Sequence, residues 1–177
     1  MPLSEIRFED LIEAHHDEIH RYLWRWALTS SGPDPEADAQ DLTQETFLRA
    51  FNAFDRLRPG SNHRAWLYKI ATNCARSAWR TAARVPTAPE SALDRLTGHP
   101  GSTPEQHVVD RGRHLILRQA LAELPAKQQA AVTLRHLQGL DYPAIAAVLE
   151  CSEASARANV YQGLKKLRQS LVRREEV

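Results

Sequence analysis

Residues 86–104, PTAPESALDRLTGHPGSTP, hold four prolines and two glycines and almost no large apolar groups. No regular helix or strand runs through such a segment, because each proline removes a backbone donor and fixes its own φ. The 177-residue chain must therefore fold as two pieces, residues 1–85 and 105–177, joined by a linker with at most a short helical turn around Ala92 to Leu96. Each piece is small for a single hydrophobic core. Alternating β-branched runs are absent and apolar residues recur at helical spacing. The expectation is an all-α chain: two small helical domains on a flexible linker that cannot by itself fix an interface between them.

The first helix is expected from about Ser4 to Leu28, with Phe8, Leu11, Ile12, Ile19, Leu23 and Trp26 as its core stripe. After the break TSSGPDPE, Asp34 is placed to cap a second helix with Pro35 at its first position, running to Phe54. That helix separates its chemistry by face. Asp34, Asp38, Asp41 and Glu45 step by 4, 3 and 4, while Phe47, Phe51 and Phe54 form a core stripe roughly opposite. The loop DRLRPGSNH then turns the chain. A third helix over about Asn62 to Arg84 gathers Lys69, Asn73, Arg76, Arg80 and Arg84 in one sector, with Leu67, Ile70, Ala71, Cys74 and Ala78 behind them.

Charge follows the same division. The net +1 conceals −8 over residues 1–55, +7 over 56–86, −3 over 87–110 and +5 over 111–177. Two basic blocks separated by acidic ones suit two contacts with a polyanion and an acidic surface kept for another partner, although a mixed solvated surface has the same counts. No apolar run reaches the length of a membrane span and the acidic N-terminus is not a secretory signal, which points to the cytoplasm. Cys74 and Cys151 have no metal or disulfide spacing and read as small packing residues.

Four helices are expected in the second piece, over about 105–123, 126–137, 142–149 and 153–173, broken at Leu124-Pro125 and Gly139. Asp141 caps a short helix that buries Ile145, Val148 and Leu149; Glu150-Cys151 makes a turn; Ser152 caps a longer helix. Val160, Leu164, Leu167 and Leu171 would be the buried face of that helix, and Arg157, Tyr161, Lys165 and Arg168 a cationic face beside it. A short helix, tight turn and longer cationic helix fit a DNA-reading pair, with the second helix in the major groove. Two packed helices with a solvated face share the pattern.

DAQDLTQETFLRAFNAFDR with NHRAWLYKIATNCARSAWR resembles region two of bacterial sigma factors, in particular the extracytoplasmic-function (ECF) group. ALAELPAKQQAAVTLRHLQGLDYPAIAAVLECSEASARANVYQGLKKLRQSL resembles region four. The resemblance implies a transcription initiation factor, not an enzyme, with no cofactor, metal, membrane or small-molecule substrate. Its implied partners are core RNA polymerase and promoter DNA, with an anti-sigma factor as a further candidate. By matching position, the polymerase-binding surface would be Asp38, Asp41, Leu42, Gln44, Glu45 and Phe47. The minus-ten element would be recognised, with a base flipped from the melting duplex, by Arg58, Asn62, His63, Arg64, Trp66, Lys69, Asn73, Arg76 and Arg80. Trp66 also reads as a core residue. The minus-thirty-five element would meet Ser152, Glu153, Ser155, Arg157, Ala158, Asn159, Tyr161, Gln162, Lys165 and Lys166.

Several positions depart from that pattern. Glu150 and Ala154 stand where relatives usually have glycine, and Ala144 where a glutamate often completes a capping box. Gln129 and Gln162 replace frequent arginines, and Ser77 a frequent aspartate. Two alternatives share some of these features: a DNA-binding regulator that never joins polymerase, and a sigma-like protein that binds polymerase without initiating. A more distant one is a metal-dependent hydrolase built on His16 and His20, four apart in HHDEIH near Glu13 and Asp17.

Overall fold

The structure, a computed structural model, describes residues 7–29, 34–58, 60–82 and 115–175. The linker at 86–104, Ser4, Arg84 and the first part of the helix expected from residue 105 lie outside the described residues. All regular structure among the described residues is helical. The elements are α1 (Phe8–Thr29), α2 (Pro35–Phe54), α3 (His63–Ala82), α4 (115–122), α5 (Ala126–His136), α6 (Tyr142–Leu149) and α7 (Glu153–Glu175).

In the N-terminal unit α1 packs on both α2 and α3. The α1 stripe buries Leu11, Ile19, Leu23 and Trp26 as expected, and also Tyr22. Tyr22 is fully enclosed, and its hydroxyl meets Thr72 Oγ1 of α3 at 2.8 Å. Leaving either group dry and unpaired would cost about 1–3 kcal/mol, so this bond fixes how α1 and α3 face each other. Burial pushes the Tyr22 phenol up to about 12. Trp26 adds an edge-on contact with Trp79, at 6.0 Å between ring centroids.

Helix α2 begins where Asp34 accepts from the amides of Glu36 and Ala37 at 3.2 and 3.3 Å, with Pro35 inside the first turn. Its buried face is Ala39, Thr43, Thr46, Phe47 and Ala50. The two threonines turn their hydroxyls back to Ala39 O and Leu42 O, both at 2.7 Å, which lets polar residues sit in the interface. The expected phenylalanine stripe holds only in part. Phe47 is buried, but Phe51 is 62% exposed, and among aromatic rings it touches the edge of Phe8 alone. In α3, Leu67, Ala71 and Cys74 are buried and Ile70 is half-buried, while Ala78 is exposed, its place toward α1 taken by Trp79.

In the C-terminal unit, Asp141 caps α6 by accepting from Ala144 N at 2.9 Å, and Gly139 enters the turn before it with φ 68°. Ser152 caps α7 by accepting from Ser155 N at 3.1 Å. The buried face of α7 differs from the expected one. It runs through Ala156, Val160, Gly163 and Ser170, with Leu167 half-buried, whereas Leu164 is 38% exposed. The cause is the approach of α5, whose Val132 lies against Gly163 and rotates the contact line toward the small residues.

The two units do not stand apart. Helix α3 packs on α6, and one continuous buried cluster runs from Leu11 and Tyr68 to Ile145 and Val160. Gln129 of α5 donates to Thr29 Oγ1 at 2.8 Å, and Arg118 of α4 donates to Leu28 O.

Candidate nucleic-acid interface

Helix α7 presents its expected reading face to solvent. Ser152, Glu153, Ser155, Arg157, Ala158, Tyr161, Gln162, Lys165 and Lys166 are exposed and Asn159 is half-buried. Tyr161, at 70% exposure, is the most open of the large hydrophobic side chains on this helix. Several of these residues are already held in place. Arg157 pairs with Glu153 one turn back and lies over the Tyr142 ring at 4.4 Å. Arg135 lies over the same ring at 4.7 Å and donates to Leu140 O. Asn159 donates to Ser155 O at 2.8 Å, and Gln162 accepts from Gln128 of α5 at 3.0 Å. Gln162, one of the departures from the family pattern, thus ties α7 to α5 as well as facing outward.

Helix α3 is different. Asn73 and Arg80 are exposed, Arg76 is half-buried, and Arg58 lies exposed in the preceding loop. Asn62 acts as a cap, accepting from Ala65 N at 2.9 Å. His63 turns inward, its Nε2 buried without a hydrogen-bond partner among the described residues. Trp66 packs half-buried against the core, which favours its structural reading.

The other cations on this face are engaged. Arg64 grips Glu18 of α1 with two nitrogens, at 2.8 to 3.1 Å, and donates to Gln138 O of the C-terminal unit at 2.7 Å. The hydroxyl of Tyr68, fully buried, has its one hydrogen between two acceptors, Gln138 Oε1 at 2.9 Å and Glu18 Oε2 at 3.2 Å. Lys69 pairs with Glu150 at 2.8 Å. Glu150 is the left-handed residue that ends α6, with φ 52°. Lys69 in contact, and Arg76 and Lys127 farther off, hold its carboxyl below the usual carboxylate range. Tyr68, Gln138 and Glu150 were not expected at this site. The one signal for them in the sequence is the glutamate in a turn that favours glycine.

On α2, Asp41 and Gln44 are exposed and Asp38 and Glu45 half-buried, which leaves an acidic surface, while Leu42 and Phe47 turn toward the core. Partial burial, then the charges of Asp34 and Asp41, push the Asp38 carboxyl up. The Phe47 ring stacks on His16 at 5.7 Å, and His20 meets Thr43 Oγ1 at 3.2 Å. The two histidines therefore pack α1 on α2. Among the described residues no three histidine, cysteine or acidic side chains are grouped to hold a metal ion. Cys74 is buried and Cys151 half-buried, both as free thiols. No described helix is long and apolar enough to cross a membrane.

A helical unit with one acidic and one basic helix, packed on a helix-turn-helix unit, defines a class of two-part DNA-binding proteins. Family models agree in both parts: sigma-70 region 2 matches residues 11–85 and sigma-70 region 4 matches residues 114–167. The chain belongs to the sigma-70 family, in its ECF branch. It is 32% identical over 168 residues to the ECF RNA polymerase sigma factor SigE of Mycolicibacterium smegmatis, covering 94% of this chain and 62% of that protein. It is 30% identical over 151 residues to the ECF RNA polymerase sigma-E factor of Escherichia coli K12, covering 81% of this chain and 79% of that one. The fold is similar to that of the sigma factor RpoE solved with the anti-sigma factor NepR from Bartonella quintana, with TM-score 0.70 and 22% identity, over 93% of this chain and 96% of that one. It is also similar to CnrH solved with the cytosolic domain of CnrY, with TM-score 0.65 and 22% identity, over 96% and 91%.

Proposed function

We propose that this chain binds core RNA polymerase and directs it to promoters, reading DNA at two places and catalysing nothing itself. The observation that carries the reading is that regions two and four both fold in one chain, with the acidic face of α2 and the reading face of α7 open to solvent. Asp38, Asp41, Gln44 and Glu45 supply the polymerase contact. Asn73, Arg76 and Arg80 follow the backbone of the melted minus-ten strand, where cations on a helix suit a flexible polyanion. The first two turns of α7 enter the major groove at the minus-thirty-five element, Arg157 and Asn159 toward base edges and Lys165 and Lys166 toward phosphates.

The sigma factor RpoE named above was solved with an anti-sigma factor, and an anti-sigma partner is part of the same proposal. The test is transcription reconstituted from core polymerase, this chain and genomic DNA. Discrete start sites absent with core alone are expected. Binding to core without any start would favour the alternative of a polymerase binder that does not initiate.

A further inference from the structure

Glu153 opens α7, and Arg157, Tyr161 and Lys165 follow it in steps of four along one exposed line. Two cations and an aromatic ring suit DNA. The carboxylate at the head of the line does not, because on a face that meets a polyanion it repels phosphate. Its contribution to stability is small: an acid in the first turn and an exposed pair one turn along the helix each add little. The side chains of Glu153 and Arg157 are 44% and 59% exposed. What Glu153 does set is the direction of a guanidinium. Arg157 Nη2 donates to Glu153 Oε1, and the guanidinium lies over the Tyr142 ring at 4.4 Å, with Arg135 over the same ring at 4.7 Å. The bond uses one oxygen of the carboxylate and one nitrogen of the guanidinium, which leaves acceptor and donor capacity on both.

We propose that Glu153 is a specificity-determining residue of the reading helix: it aims Arg157 at guanine and itself accepts from the exocyclic amine of the neighbouring base, cytosine N4 or adenine N6. The inference rests on the assignment of α7 to the minus-thirty-five element made above. In the major groove guanine offers O6 and N7, which an arginine held in one direction meets together. At the next base, cytosine and adenine present an amine, whereas guanine and thymine present an oxygen. A carboxylate accepts and cannot donate. Facing an amine, Glu153 gains a charge-assisted hydrogen bond; facing O6 or O4, it meets a second acceptor with no proton between them. The residue therefore discriminates by rejection as much as by attraction. Its repulsion from phosphates weakens binding to every duplex, and only a base that bears an amine offsets the loss.

The test uses holoenzyme assembled from core polymerase and the full-length chain, on a barcoded promoter library that keeps one minus-ten element and randomises the minus-thirty-five region. Sequenced transcripts give the base preferred at each position. The wild type is expected to favour guanine at one position and, beside it, cytosine or adenine over guanine or thymine by about five- to tenfold. Arg157→Ala should flatten the first preference. Glu153→Ala should flatten the second and weaken the first, and Glu153→Gln should narrow the second to adenine, the base that a carboxamide matches with one donor and one acceptor. A promoter that works from its minus-ten element alone reports folding and polymerase binding for each variant. A uniform rise on all templates with unchanged base preferences overturns the inference, since Glu153 is then only a charge that phosphates avoid. Loss of transcription from the minus-ten promoter by both Glu153 variants overturns it as well, because the residue is then structural. The same experiment separates the two proposals. Base preferences that ignore Glu153 remove this inference and leave the function, whereas a holoenzyme that starts at no promoter removes the function and with it the contact that Glu153 would govern.

Discussion

Gly163 of α7 lies so close to Val132 of α5 that a Cβ at this glycine would meet Val132 Cγ2 at 2.6 Å and Gln128 O at 3.2 Å. The reading helix is therefore carried on a helix crossing that admits no side chain. Gly163→Ala would improve helix propensity by about 1 kcal/mol, yet overpacking of a close crossing costs about 1–3 kcal/mol. Net destabilisation is expected in urea unfolding. Val132→Ala, itself destabilising, should remove most of the penalty of the second change, so that the double variant is less than additive. Independent, additive losses would show that the two residues do not limit each other.

Charge reversal at Asp38 and Asp41 is expected to weaken binding to core polymerase at least tenfold. Asp41 is exposed, and Asp38 already resists ionisation through partial burial and its acidic neighbours, so the fold should lose no more than about 0.5 kcal/mol. Unchanged affinity in a pull-down with core polymerase would remove this helix from the contact.

Arg76→Ala with Arg80→Ala is expected to abolish open-complex formation on every template, because phosphate contacts carry no sequence preference. Asn159→Ala should weaken only templates that depend on a minus-thirty-five element, by about 1–3 kcal/mol for the base concerned. Promoter opening by the double variant at the wild-type level would make the basic face of α3 a solvated surface and nothing more.

Glu18 links stability to pH. Burial raises its carboxyl, but the hydrogen bonds and charges of Arg64 and His15 outweigh that and hold it below the usual range. A carboxylate whose folded pKa is depressed contributes stability that is complete above its unfolded pKa, about 4.3, and lost as pH falls through the folded value. Glu18→Gln should therefore cost about 1–3 kcal/mol at pH 7 and progressively less below pH ~4. An equal cost at both pH values, by urea unfolding, would show that shape rather than ionisation matters at this position.

Much of this architecture is legible in the chain. Asp34, Asp141 and Ser152 were identifiable as caps because capping is local chemistry, and the outer face of α7 followed from helical spacing. Phe51 and Leu164 were not, since periodicity says which residues share a face but not where the neighbouring helix ends or crosses. The bond between Tyr22 and Thr72 joins residues 50 apart, and a sequence pattern has no term for such a pair. For the same reason the acidic face of α2 could be read directly, whereas the partner of Lys69, and the Gln138 carbonyl that Arg64 meets, belong to another unit. Glu150 was visible only as an oddity, a residue poorly suited to its own turn.

Tyr142 holds the guanidinium groups of Arg157 and Arg135 at 4.4 and 4.7 Å from the centre of its ring. A long cationic side chain ordinarily surrenders rotamer freedom when it meets a base. Arg157 has surrendered part of it beforehand, so the ring acts as a rest that shortens the list of poses to be searched on encounter. On the proposed reading of α7, removing that rest would leave Arg157 in place and still slow the productive landing, a defect of timing rather than of contact.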